Sequence, residues 1–465
     1  MVAVAIASEA VIPDTRLYPP TVVPPPAPLP FAKFIVRFVR NPLLTIARPV
    51  YHEDMLIRAN GGRTVVYVTA PDLVEEVLLK GSDHFHKSPI EKRIFRSTLG
   101  DGILTSQGAS WRWQRRTAAP LFRVSDLNAL VPQMTAEGEA QAARWRQSPA
   151  GTVQAIDADM TETTFRVIST TMFGGDADGD AREILHAADG ALSSVSWDIA
   201  AAIMNLPDWL WYPGRNLRRR AGRTLRDLTA RMLQRRRAAG VDGQDLMSRL
   251  CAARDPETGD PMSESQLVDN LLTFLGAGHE TTAKALTWSL YLLARAPEWQ
   301  QRIADEVARV CGDAPIGAAH LDQLEVTRAV FKEAMRLYPP APMMNRVLSQ
   351  DTVLGGKPMQ AGTFIVIPVY AIHRHHKLWA DPDRFDPTRF FKDNEARQAR
   401  AQFMPFGFGP RLCIGMSFAM MEGVAILGTL VRHARFEWDG RHSPEPLSRI
   451  TLRPAGGMPL KVYPR

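Results

Sequence analysis

A single, mostly helical α+β domain is what this sequence predicts, and three observations carry the prediction. Helical 3.6-residue periodicity recurs over long stretches, strand-like runs are short and few, and no Pro/Gly/Ser-rich linker after residue 30 is long enough to separate a pair of cores. The chain has 465 residues and is 45% hydrophobic, so it can bury a large core without disulfide or metal staples. Length alone would allow two or three domains, but one prism-shaped helical body with small β-sheets is the simplest organisation, and no internal repeat is visible. The charged fraction of 23% is that of an ordinary soluble protein.

Residues 1–30 are set apart as a proline-rich leader. Its first stretch, Met1 to Ile12, is mildly apolar, contains Glu9 and lacks a basic flank. It is too short to span a bilayer and is not laid out as a signal peptide. The stretch YPPTVVPPPAPLP, residues 18–30, is expected to be extended and polyproline-like. The domain itself then occupies residues 31–465. Helical periodicity covers residues 71–79, 111–121, 263–296, 297–310, 327–338 and 414–433, while residues 64–68, 352–354 and 364–368 read as strands.

The net charge of +7 is concentrated: ten arginines fall within residues 215–237, spaced among Leu217, Leu225, Leu228, Met232 and Leu233. This spacing is that of the solvated face of one or two amphipathic helices. Nucleic-acid or membrane-surface binding is the competing reading, and no aromatic series accompanies the arginines to stack bases. No nucleic-acid partner and no membrane span are expected. The cysteines Cys251, Cys311 and Cys413 are scattered and odd in number, so no disulfide framework is implied, and no CxxC pair is present to suggest a zinc site.

The chemistry centres on Phe406-Gly-Phe-Gly-Pro-Arg-Leu-Cys-Ile-Gly415. A metal bound by one thiolate needs that sulfur fixed, shielded and not too basic. Gly407 and Gly409 allow a tight turn whose backbone N–H groups point at the sulfur. Phe406 is placed to cover it. Arg411, two residues before it, suits an ionic grip on a carboxylate. The apolar helix that follows Cys413 lowers the thiol pKa through its N-terminal partial charge, and Gly415 leaves room for a flat ligand. With every fixed position of F-x-x-G-x-R-x-C-x-G present, the segment resembles the haem signature of the cytochrome P-450 family. The resemblance implies a haem-thiolate monooxygenase with Cys413 as the iron ligand and haem b (iron protoporphyrin IX) as cofactor.

The run Ala277-Gly-His-Glu-Thr-Thr282 lies in the middle of the longest helical pattern. Glycine inside a helix costs about 1 kcal/mol relative to alanine, so Gly278 invites an explanation. In the family the equivalent helix crosses the distal face of the haem and is locally distorted, with small residues opening a groove. The resemblance implies that Thr281 hydrogen-bonds the oxygen being activated and that Glu280 relays protons to it from solvent. His279 reads as structural or solvent-facing. The pair Gly276 and Gly278 resembles a dinucleotide loop only superficially, since a third glycine and a preceding strand are missing.

Three further matches follow the family's order. Glu333 and Arg336 match its E-x-x-R helix, and Phe385-Asp-Pro-Thr-Arg-Phe390 matches F-x-P-x-R-F, which implies a buried Glu333–Arg336–Arg389 network bracing the cysteine loop. Trp111 and Arg115 resemble a helix that clamps one haem propionate, and Arg346 the strand arginine that grips the other. Gln114 stands where the family often has histidine and carries no haem assignment. The matches run from Trp111 to Gly415, most of the chain after the leader.

The expected reaction is reductive activation of dioxygen and insertion of one oxygen atom into an apolar small molecule, by hydroxylation or epoxidation. A terpenoid, steroid, fatty acid or polyketide would each suit, with Met343, Met344, Phe274, Ile90 and Phe95 as pocket residues. No flavin or iron–sulfur segment is present, so NAD(P)H-derived electrons are expected through a separate ferredoxin or flavodoxin and its reductase. Arg112 and Arg116 are candidates for its docking face. The lack of an apolar N-terminal anchor points to a soluble, bacterial-type, cytoplasmic protein acting as a monomer. Two alternatives stand beside this reading: a peroxide-driven peroxygenase, and a non-catalytic haem sensor or electron carrier.

Overall fold

The computed structural model describes residues 16–60, 63–175, 177–192, 195–207, 209–240, 245–255 and 257–465, so the expectation for Met1 to Ile12 lies outside the described residues. The helices used below are, in order, α1 (Phe31–Arg40), α2 (Pro89–Leu99), α3 (Gly108–Ala118), α4 (Val131–Arg146), α5 (Ile156–Phe173), α6 (Ala181–Leu192), α7 (Arg215–Ala239), α8 (Glu264–Arg295), α9 (Pro297–Cys311), α10 (Glu325–Leu337) and α11 (Met416–His433). The strands used below are β1 (Met55–Asn60), β2 (Arg63–Val68), β3 (Phe85–His86), β4 (Met344–Leu348), β5 (Phe364–Ile367), β6 (Pro446–Ser448) and β7 (Leu452–Pro454).

Helix α8 starts where its sequence says it should. Ser263 and Gln266 form a reciprocal capping box that satisfies two free N–H groups at its N-terminus. From Thr282 to Leu293 it is buried on all sides, packed by α5, α10 and α11, and the Trp288 ring stacks on Tyr338 at 3.7 Å. Close approach of the helices relies on small residues. A Cβ at Gly423 of α11 would fall 2.1 Å from the Phe331 ring of α10, and one at Gly138 of α4 would meet Thr429 of α11 at 3.3 Å.

The main sheet has the order β1-β2-β5-β4-β3, antiparallel except for the parallel β2–β5 pair. A second hairpin, β6–β7, hangs over the middle of α8. Residues 71–79 do not form one regular helix. An α-turn, Pro71–Glu75, widens into a π-turn, Glu76–Lys80, closed by the Gly81 N–H on the Glu76 carbonyl at 2.7 Å. That widened turn presents the Leu78 carbonyl to the cysteine loop. A Cβ on Gly409 would lie 2.2 Å from the Leu78 oxygen, and Gly409 has φ +72°, so both space and backbone demand glycine there.

The described residues of the leader are not separate from the domain. Leu17 and Val22 are buried in the main core, Tyr338 Oη donates to the Pro20 carbonyl at 2.8 Å, and the Phe385 N–H donates to the Leu17 carbonyl at 2.9 Å. Proline donates no N–H but keeps its carbonyl, so an extended proline run can be strapped down by donors from the body it crosses. The arginine-rich segment is the single helix α7. Arg218, Arg226, Arg235, Arg236 and Arg237 pair with Asp198, Asp269, Asp180, Asp245 and Glu264, while Arg219, Arg220, Arg223 and Arg231 are exposed. Among the described residues no helix is long and apolar enough to cross a membrane.

Candidate active site

The cysteine loop is a turn held by its own backbone. The Gly407 N–H donates to the Met404 carbonyl at 3.0 Å, the Leu412 N–H to Gly409 at 3.0 Å, and the Cys413 N–H to Phe406 at 2.9 Å. Gly407 has φ +80°, a conformation that side chains disfavour. Helix α11 begins only at Met416, with Gly415 as its N-cap, so Cys413 sits three residues ahead of the first helical turn. Burial raises the Cys413 thiol above its ordinary value and outweighs the Gly415 backbone N–H and the Arg115 guanidinium, which favour the thiolate, so the lowering expected from the helix start does not prevail.

Cys413 is nonetheless accessible, and what it is accessible to is a cavity of about 680 Å³ enclosed by protein on most sides. The sulfur and the cysteine loop form one wall; Ala277, Glu280 and Thr281 of α8 form another. The remaining lining is mainly apolar, and Ile90, Phe95, Phe274, Met343 and Met344 all belong to it, as the sequence suggested.

At one edge of the cavity the charges do not balance. Arg115, Arg346 and Arg411 converge there with Lys87, and Glu91, 2.7 Å from Lys87, is the acid that offsets them. Burial, reinforced by Arg346 and Arg115, pulls the Arg411 guanidinium down to about 10. Its Nη2 donates to the Ser106 carbonyl at 3.0 Å and its plane lies over the Trp111 ring at 3.8 Å, yet its buried Nη1 has no hydrogen-bond partner. A buried, underpaired cluster of cations is costly unless it meets anions. Two carboxylates at the rim of a flat apolar group would meet that need, with a thiolate sulfur on the adjoining wall. The residues present therefore fit haem. Lys87 and Glu91 were not legible in the sequence, because nothing in a short polar helix start distinguishes them from surface residues.

The acid and the alcohol sit on α8 as expected, but in a specific setting. Thr281 Oγ1 donates back to the Ala277 carbonyl at 2.7 Å. Glu280 Oε1 accepts from Thr451 Oγ1 at 2.6 Å and from Arg453 Nη2 at 2.7 Å, both on the β6–β7 hairpin. Arg453 also reaches the exposed Asp189 of α6 at 3.2 Å. The turn that holds the acid, Ser448 to Thr451, itself lines the cavity.

Two expectations need correction. No break or change of helix type marks the anticipated distortion: α8 runs as one α-helix from Glu264 to Arg295, with the Thr281 back-bond within it. The space left by Gly278 faces α5, since a Cβ there would lie 2.7 Å from Ile168 Cδ1, while Gly278 still lines the cavity beside the exposed Ala277. His279 is structural: it is buried, its Nδ1 lies 2.7 Å from the Leu275 carbonyl, and its ring meets Phe165 edge-on.

The Glu333–Arg336 pair is fully buried and bidentate, at 2.6 and 2.8 Å. Arg389 stands further off, 3.6 Å from Glu333, and donates instead to the Asp381 carbonyl. The brace is thus a tight pair with a looser third member. Gln114 ties α3 to α8, accepting from Asn270 Nδ2 at 2.9 Å. Of the two cations expected to face a redox partner, Arg116 is engaged by Asp255 at 2.7 Å and Glu257 at 2.5 Å, and Arg112 is exposed.

A family model described as Cytochrome P450 matches residues 24–460. Among curated proteins, the chain is 32% identical over 460 residues to cyclooctatin synthase of Streptomyces melanosporofaciens, covering 97% of this chain and 96% of that one. It is 31% identical over 414 residues to cyclooctat-9-en-7-ol 5-monooxygenase of the same organism, 88% of each chain. It is also 32% identical over 421 residues to cytokinin hydroxylase of Arabidopsis thaliana, covering 87% and 80%.

Proposed function

The chain belongs to the cytochrome P450 family and is a haem monooxygenase; from this we propose that it hydroxylates or epoxidises an apolar small molecule of the terpenoid class, with electrons from a separate protein. The observation that carries the reading is one apolar cavity bounded by the Cys413 sulfur on one side and by Glu280 and Thr281 on the other. The terpenoid class is suggested by the two Streptomyces relatives and suits a lining that is mainly aliphatic and aromatic.

Haem, when bound, supplies the reductive activation of dioxygen, which a thiolate ligand favours. Cys413 would hold it from the loop side, and Arg115, Arg346 and Arg411 would take its propionates, relieving the unpaired positive charge at the cavity edge. Trp111 braces Arg411 by stacking. Phe406 fixes the loop through its carbonyl. On the α8 side, the Thr281 oxygen, its own proton held by the Ala277 carbonyl, would accept a hydrogen bond at the cavity surface, and Glu280 would supply the protons. Thr451 and Arg453 orient that acid, and Arg453 in turn pairs with the exposed Asp189 at the surface. An acidic ferredoxin or flavodoxin, fed by its reductase from NAD(P)H, is the partner this chemistry calls for, with Arg112 among its contacts.

The reading is tested by oxygen consumption driven by NADH, reductase and ferredoxin across a terpenoid panel, preselected by the substrate-induced spin shift of the haem spectrum. Turnover with peroxide alone would favour a peroxygenase, and spectral binding without turnover a sensor. The ligand is tested separately. Ferrous protein with carbon monoxide should show the long-wavelength band of thiolate ligation, and Cys413→Ala should lose it; survival of the band would move the ligand elsewhere.

A further inference from the structure

The cysteine loop is held from inside the protein by a histidine. His373 follows the short helix Val369–Ile372 and is fully buried, its ring stacked on Phe403 at 5.3 Å between centroids. Its Nε2 accepts the Met404 backbone N–H at 2.9 Å. An acceptor nitrogen carries no proton, so the ring is neutral with its proton on Nδ1. Nδ1 makes no hydrogen bond of standard geometry, but the carbonyls of Met335 and Arg336, in the last turn of α10, lie close enough to favour a proton there. Burial and the two neighbouring arginines, Arg336 and Arg374, push the ring's ionisation down to about 3, so this tautomer persists at any working pH.

The backbone of the same residue completes the connection. The His373 carbonyl accepts Arg336 Nη1 at 2.8 Å, and Arg336 is the buried partner of Glu333. On the other side, the Met404 carbonyl accepts the Gly407 N–H, and the Phe406 carbonyl accepts the Cys413 N–H. A continuous series of buried hydrogen bonds thus runs from Glu333 through Arg336, His373 and Met404 to the loop that carries the sulfur. Arg389, 3.6 Å from Glu333, has no comparable reach toward the loop.

We propose that His373 is a positioning residue for the thiolate: by accepting the Met404 N–H it fixes the chain just ahead of Phe406 and so sets where the Cys413 sulfur stands. This rests on Cys413 being the haem ligand. Without the acceptor, the Met404 N–H is left buried and unpaired, and the loop shifts to find another partner. The sulfur then no longer sits where it can remain an unprotonated ligand, and a neutral-ligand form competes.

Two substitutions of similar polarity separate the acceptor from mere filling of space. In His373→Gln the side-chain oxygen stands as many bonds from the backbone as Nε2, and in His373→Asn it falls one bond short. Both variants are compared with the unchanged protein, haem-loaded, by the position of the ferrous carbon monoxide band. The Gln variant is expected to keep the thiolate-type band. The Asn variant is expected to shift roughly tenfold toward the shorter-wavelength, neutral-ligand band, in line with an orphaned buried N–H. A shift in neither variant, or equal loss in both, overturns the proposal, because the acceptor would then not be what matters. Absence of the thiolate band from the unchanged protein would instead sink the assignment of Cys413.

Discussion

Thr281 lines the cavity while Glu422 lies buried near the neighbouring Thr282, so chemistry tests one and stability the other. Thr281 donates its hydroxyl proton to the Ala277 carbonyl, which leaves its oxygen free to accept a hydrogen bond at the cavity surface. In Thr281→Ala the helix should be unaffected, since the lost back-bond is not a rung of its ladder, and substrate affinity should change little. Electron use should continue while product falls, the difference leaving as hydrogen peroxide, with a loss on the order of 10²-fold in the proton-dependent step. The ratio of product to NADH consumed decides, and an unchanged ratio would return Glu280 and Thr281 to structural roles. Glu422 of α11 is fully buried; neither carboxyl oxygen has a hydrogen-bond partner, although the Thr282 hydroxyl is near enough to oppose the shift. Burial pushes the carboxyl from 4.5 up to about 8. The folded protein therefore keeps its proton where the unfolded chain has lost it. The associated stability is fully present below about pH 4.5 and is lost as pH rises through 8. Glu422→Gln, neutral at every pH, should flatten this dependence and gain roughly 2–5 kcal/mol over the unchanged protein at pH 9. Denaturant titrations at pH 5 and pH 9 measure it, and parallel pH profiles would show that Glu422 ionises freely in the fold.

At the scale of elements, α8 is positioned by what it leaves out. Gly278 lets α5 approach until Ile168 Cδ1 lies 2.7 Å from where a Cβ would be. Gly278→Ala should cost about 1–3 kcal/mol as overpacking, offset partly by the gain in helix propensity. Combining it with Ile168→Val should recover most of that loss, a coupling that distinguishes packing from a role at the cavity. If Gly278→Ala impairs product coupling and Ile168→Val does not restore it, the glycine acts on the cavity side after all. The β6–β7 hairpin does the converse, reaching over α8 with Thr451 and Arg453 to hold Glu280. Neither residue carries a motif, and their role follows only from a hairpin some 170 residues away in sequence.

Across the whole molecule, the buried Glu333–Arg336 pair joins α10 to the carbonyls of His373, Pro382 and Arg384, and through His373 to the cysteine loop. Breaking such a pair leaves an uncompensated interior charge. Glu333→Ala should cost roughly 3–5 kcal/mol and yield little haem-loaded protein. Normal haem incorporation would mean the pair does not brace the loop. The proline-rich segment adds a strap over the same region, tied to Tyr338, Tyr370 and Phe385.

Local sequence was enough to place the elements and the chemical cast. Periodicity located α8, α9 and α10 to within about two residues, and the cysteine loop, the acid–alcohol pair and the Glu333–Arg336 pair were all legible as short local patterns. These are one-dimensional facts: residue types at fixed spacing on one element. The relations between elements came from the folded chain alone. Folding turned Gly278 toward α5, drew Arg116 into ion pairs, gathered Lys87 and Glu91 beside the three arginines, clamped Glu280 from a distant hairpin and set His373 against the Met404 backbone ahead of the cysteine loop. A side chain's partner across a helix interface depends on the azimuth and depth of both helices, which packing of the whole core fixes and no local spacing encodes.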